Sequence, residues 1–119
     1  SRGADKVIFI EKDKKAAEIL NINLRTLSIK EKAEVLNEKI IKFLNRKQLK
    51  KFDIFFLDPP FADNNFIEEL ELIKKKKIYK KNHIVIIHRE RKSSDNFKKI
   101  IDPIITKKYG RSKIIFGKF

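Results

Sequence analysis

The stretch from Phe52 to Phe61, FDIFFLDPPF, sets a carboxylate, two prolines and an aromatic ring directly after an apolar run. Proline has no N–H and a fixed φ, so Pro59 and Pro60 stiffen the exit and leave carbonyls able to accept hydrogen bonds. Asp58 adds a carboxylate acceptor beside them. Two acceptors at a rigid spacing suit an exocyclic amine, which offers two N–H donors. Phe61 supplies a face on which a nucleobase can stack, worth roughly 1–3 kcal/mol per base. With both hydrogens held, the amine nitrogen becomes pyramidal and its lone pair points at an electrophile. Positioning of this kind lowers a group-transfer barrier without a strong base. The plainer alternative is a strand stop with a capping acid.

Such a site needs a strand to deliver it. The run Ile54 to Leu57 is continuously apolar, as are Val7 to Ile10 and Ile84 to Ile87. Between these runs lie segments of helical period. Ala16, Leu20, Leu24 and Leu27 recur at helical spacing behind Asp13, a candidate N-cap. Ile40, Ile41 and Leu44 predict a second helix, after a short strand in AEVLNE. Phe66, Leu70 and Ile73 predict a third, closed by the solvated lysines at 74–77. The tail, PIITKKYGRSKIIFGKF, reads as two antiparallel strands around a YGRS turn. Apolar runs separated by helices predict strands covered on both faces, in a parallel sheet of an α/β fold. Ligands in such sheets sit beyond the carboxyl ends of the strands. Glu11, Asp58 and His88 all fall at such ends, which predicts a shared cleft edge.

The chain has 119 residues, enough for one core, and a hydrophobic content of 41% that favours a packed globule over disorder. No apolar run is long enough to span a membrane, and no signal peptide opens the sequence. With no cysteine and two histidines, neither a disulfide framework nor a metal centre is expected, and a reducing, cytoplasmic setting is. Thirty basic residues against sixteen acidic ones make a formal charge of +14, which attracts polyanions. The abundance of Lys, Ile, Asn and Phe offers a second explanation, an AT-rich coding sequence. There is no methionine, so the sequence is expected to be a piece of a longer chain.

LDPPF matches the motif [D/N/S]-P-P-[Y/F/W] of S-adenosylmethionine-dependent amino-methyltransferases. The wider chain resembles one bacterial branch, the RsmD-type 16S rRNA guanine-N2 methyltransferases. SRGADKVIFIEKDKKAAEILNINL is similar to that family's segment after the cofactor loop, FDIFFLDPPF to its catalytic strand, and KKYGRSKIIFGKF to its closing hairpin. The resemblance runs from Ser1 to the C-terminus. It implies a Rossmann-like class I methyltransferase sheet, mostly parallel with a C-terminal antiparallel hairpin, and one partial domain over 1–119. Glu11 would accept hydrogen bonds from the ribose hydroxyls of S-adenosylmethionine; its plainer reading is a charged helix entry. Asp58 and the Pro59 carbonyl would hold the guanine amine, Pro60 would stiffen the turn, and Phe61 would stack on the base. The implied partner is rRNA or the small ribosomal subunit, met by a monomer without metal or membrane.

Two departures stand out. The family's first strand and glycine-rich loop have no counterpart here, since Gly3, Gly110 and Gly117 cannot form that loop. An N-terminally truncated chain, inactive as it stands, is therefore expected. Lys39 occupies the position where relatives place Asp or Asn near the adenine, with Glu38 adjacent. A DNA adenine or cytosine amino-methyltransferase shares the DPPF motif and remains an alternative, as does a non-catalytic RNA-binding module of the same fold. Neither histidine is required by the chemistry. His88 reads as a strand-end residue, His83 as preceding its strand with no evident role. The segment HRERK at 88–92 reads as a solvated loop that could touch phosphates. Arg25, Arg46 and Arg111 are scattered.

Overall fold

In the computed structural model, residues 6–27, 32–47, 49–60, 65–97 and 99–119 are described. Their contacts divide the chain into two units, Ser1–Arg46 and Lys47–Phe119. The strands form a two-stranded and a four-stranded sheet.

The first unit is built on a βαβ unit. Strand β1 (Val7–Ile10) pairs in parallel with β2 (Ala33–Leu36), in a register running from Val7 opposite Ala33 to Ile10 opposite Leu36. Parallel neighbours need a crossover, and helix α1 (Lys14–Thr26) supplies it. Asp13 is the N-cap by backbone conformation, although its side chain makes no capping bond. Ala17 and Leu24 are the buried positions of α1, and Leu27 lies at the C-cap, largely exposed. The inward stripe keeps Ala16, Leu20 and Leu24 of the expected one, broadens to take in Ala17 and Asn21, and leaves out Leu27. Helix α2 (Ile40–Leu44) buries Phe43 and Leu44 while Ile41 faces outward. Of the expected group Ile40, Ile41 and Leu44, Leu44 is buried and Ile40 partly so, while Ile41 is 40% exposed and Phe43 is buried instead.

The second unit is a four-stranded sheet in the order β3-β4-β6-β5. Strand β3 (Phe52–Leu57) runs parallel to β4 (Tyr79–Glu90), linked by α3 (Phe66–Lys76). Strands β5 (Asp102–Tyr109) and β6 (Ser112–Lys118) form the expected hairpin, with Gly110 at positive φ in its turn and β6 antiparallel to β4. Glu68 and Glu69 in the first turn of α3, and Lys74, Lys75 and Lys76 in the last, each oppose the helix dipole. Lys75, Lys76 and Lys77 are exposed, as expected of a solvated helix end, and the partly buried Lys74 donates to the Lys99 carbonyl at 2.6 Å.

Phe66 and Leu70 of α3 pack on Val85 and Ile87 of β4 and Ile115 of β6, with Phe97, Ile100 and Ile101 completing the core. Phe55 and Leu57 flank this cluster from β3. Burying side chains of this size is worth about 1.5–3 kcal/mol each. Period two sends the alternate residues to the other face, where Ile54 and Phe56 are 60% and 64% exposed. Covering on both faces was expected. Within this unit the described helix α3 covers one.

Candidate active site

Asp58 follows β3 by one residue, and the register explains its neighbour. Leu57 lies opposite Ile87 in the parallel pair, so the next step sets Asp58 beside His88 on the face of Ile54, Phe56 and Ile86. The two side chains meet there, His88 Nδ1 standing 2.9 Å from Asp58 Oδ1. The Asp58 side chain is 59% exposed, so its carboxylate faces solvent and not the core. Pro59 is partly buried and Pro60 exposed. The Pro60 carbonyl accepts a hydrogen bond from Arg89 Nη1 at 3.2 Å, which holds the turn from below. Phe61 lies outside the described residues.

Arg89 corrects the expected solvated loop at 88–92. Residues 88–90 are the end of β4, and Arg89 is 1% exposed. Its Nε and Nη2 donate to the two carboxylate oxygens of Asp95, at 2.9 and 3.2 Å, and the guanidinium lies 4.4 Å from the centre of the Phe66 ring. Ser93 Oγ donates to the same carboxylate. The signal was present in the alternation His83, Val85, Ile87, Arg89, all odd-numbered and all buried. A charge at the end of an apolar run hid it.

His83 is likewise corrected: it sits within β4 and is buried. The Phe119 N–H donates to its Nε2 at 3.0 Å, so the proton of the neutral ring is on Nδ1, 2.6 Å from the Lys80 carbonyl. Tyr79 and Phe119 stack on one another beside it. This histidine anchors the end of the hairpin to β4.

In the first unit Glu11 follows β1, and its N–H extends the pairing by donating to the Leu36 carbonyl at 3.0 Å. Its Oε1 accepts the Asp13 N–H at 3.1 Å, and Asn37 Nδ2 donates to the carbonyls of Glu11 and Lys12. Glu38 pairs through Oε1 with Arg46, while its Oε2 is buried with no hydrogen-bond partner. Lys39, the N-cap of α2, is exposed. Two carboxylates thus stand beyond the carboxyl ends of adjacent parallel strands. An orphaned buried acceptor is costly unless a donor reaches it. The donor set of S-adenosylmethionine, ribose hydroxyls and an adenine amine, fits both acids.

Of the residues expected to share a cleft edge, Asp58 and His88 are brought together, and Glu11 belongs to the other unit. Arg25 and Arg111 are exposed, on α1 and in the hairpin turn, and Arg46 is held by Glu38. Among the described residues, no group of three or more His, Asp or Glu could hold a metal ion, and no helix is long and apolar enough to cross a membrane.

The model of the family described as "Conserved hypothetical protein 95" matches residues 1–118. The chain belongs to this family. Its curated relatives include "Ribosomal RNA small subunit methyltransferase D" of Haemophilus influenzae, 39% identical over 93 residues, covering 76% of this chain and 48% of the relative. The protein of the same name from Buchnera aphidicola is 31% identical over 94 residues, covering 79% and 49%. The chain therefore spans about half the length of the curated relatives it matches. The family is the RsmD-type group that the sequence resembles. A solved structure from Haemophilus influenzae, 30% identical, matches with a TM-score of 0.79 over 95% of this chain and 71% of that one. A conserved hypothetical protein from Streptococcus pyogenes, 23% identical, shares the fold with a TM-score of 0.86 over 98% and 72%. The fold of this family member is the α/β, Rossmann-like class I methyltransferase fold with a C-terminal antiparallel hairpin.

Proposed function

We propose that this chain is part of an enzyme that methylates the exocyclic N2 amine of a guanine in small-subunit rRNA, using S-adenosylmethionine. The reading takes both units as parts of one methyltransferase domain over 1–119, in line with the extent of the family match. The observation that carries it is the exposed Asp58 carboxylate on a proline-stiffened turn at the end of β3.

Asp58 and the Pro59 carbonyl accept the two hydrogens of the amine, and Phe61 stacks on the base. Pro60 is rigid in φ and its carbonyl is held by Arg89, so the turn cannot swing away. Glu11 receives the ribose hydroxyls of the cofactor, and the orphaned oxygen of Glu38 takes the place of the acid missing at Lys39. S-adenosylmethionine, when bound, supplies a methyl group on a cationic sulfur that retains the bonding electrons. Asp58 then accepts a proton from the cationic amine, restoring its neutrality. The effect is chiefly one of orientation.

The test is a methylation assay on the full-length protein with small-subunit rRNA, assembled subunits and duplex DNA, followed by nucleoside analysis. The expected product is N2-methylguanosine in rRNA. Asp58→Ala should reduce it to a small residual rate while the circular dichroism spectrum and thermal midpoint stay close to wild type. Transfer to DNA alone would overturn the RNA reading. RNA binding without any transfer would favour a non-catalytic module.

A further inference from the structure

We infer that His88 is a positioning residue for Asp58: it holds one carboxylate oxygen so that the other faces the substrate amine. The inference rests on the proposed methyltransferase reading and extends it to a residue that the chemistry by itself does not call for.

The geometry begins with the register. Asp58 is exposed on a turn and, left alone, would rotate about χ1 and χ2. His88 lies level with it on the neighbouring strand, on the same face, and reaches it at 2.9 Å. An ionised carboxylate only accepts hydrogen bonds, so the neutral imidazole must carry its proton on Nδ1 to make this contact. Oδ1 is thereby engaged, and Oδ2 is the oxygen left for an incoming N–H. The backbone of His88 is fixed in turn: it lies in β4, opposite Ile114 of β6. Its side chain is only 29% exposed, half the value for Asp58.

The next residue of β4 completes the arrangement. Strand alternation sends Arg89 to the opposite face, where its guanidinium holds the Pro60 carbonyl. Two consecutive residues of one strand thus grip the two ends of the Asp58–Pro60 turn from opposite sides. No bond forms or breaks at His88, and it takes no proton from the substrate.

A purely structural histidine and a positioning one differ in what they change. Misplacing a reacting group by about an ångström can cost 100-fold in rate with binding intact. In the full-length protein, His88→Leu should lower kcat by about 10- to 100-fold while leaving KM for rRNA nearly unchanged. His88→Asn, whose amide places an N–H donor near the position of Nδ1, should restore most of the rate. Adding His88→Leu to Asp58→Ala should slow the enzyme no further, since the group to be oriented is gone. An equal loss in both backgrounds, or failure of the asparagine variant to rescue a folded protein, would overturn the inference.

A second measurement needs no activity. Nitrogen-15 shifts of the His88 ring, recorded above its titration range, should report the Nδ1–H tautomer in the wild type. In Asp58→Ala the ring should relax toward the Nε2–H tautomer that free histidine prefers. A ring in the Nε2–H form irrespective of residue 58 would refute the pairing. If the wild-type protein transfers no methyl group to guanine, the functional reading fails, and the tautomer still decides whether His88 holds Asp58.

Discussion

Arg89 is a charge placed inside a hydrophobic core, and it is tolerated because every side of it is occupied. Asp95 neutralises it through two hydrogen bonds, Pro60 receives a third, and the face of Phe66 covers the guanidinium plane. Breaking a buried pair by removing one partner leaves an uncompensated charge and costs about 3–5 kcal/mol. Arg89→Ala is therefore expected to lower unfolding stability by that amount, read from the midpoint and slope of a urea denaturation curve. The double change Arg89→Met with Asp95→Leu should cost less than the sum of the two single changes, because no buried charge remains alone. Strict additivity in that cycle would mean that the pair does not act as a unit.

At the scale of the element, the hairpin depends on a glycine that the turn does not use. Gly117 lies in β6 between Val85 of β4 and Pro103 of β5. A Cβ there would stand 2.5 Å from Ile101 Cγ2 and 2.9 Å from the Asp102 carbonyl oxygen. The side chain can yield, but the backbone oxygen cannot do so without shifting the start of β5. Overpacking of this kind costs about 1–3 kcal/mol, and Gly117→Ala should lower the thermal midpoint accordingly. Hydrogen exchange should quicken first in β5. That strand is an edge of the sheet, exposed along its whole length, and Pro103, Lys107 and Lys108 are residues that discourage pairing with another chain there. A Gly117→Ala protein as stable as wild type would mean that Ile101 and β5 have more room than the distances indicate.

For the whole molecule, the excess of cations is the property that no single site explains. A net charge of +14 on 119 residues produces a field that draws polyanions to the surface before any specific contact forms. On the proposed rRNA reading, binding should release counterions and weaken steeply with salt. Affinity for an rRNA fragment should drop about tenfold or more between about 50 and 200 mM monovalent salt. Asp58→Ala should leave that slope unchanged, because it removes a contact to the base and none to phosphate. A flat salt dependence would show that the lysines are composition and not an interface.

Local periodicity explains which parts of this chain were legible in the amino-acid order. Apolar runs of four residues and stripes of period 3.6 mark β1, β3, α1 and α3 because neighbours in sequence decide whether one face can be apolar. The DPP turn was legible for the same reason: proline acts on its own φ and its own missing donor, whatever surrounds it. The partners of that turn were not. His88 lies 30 residues from Asp58 and Arg89 lies 29 from Pro60, and only the register of β3 against β4 makes them adjacent. A one-residue slip would exchange the faces of both. Which cation is buried, which histidine accepts a backbone N–H, and why Gly117 must be small follow from strand pairing, since burial and hydrogen bonding are properties of neighbours in space.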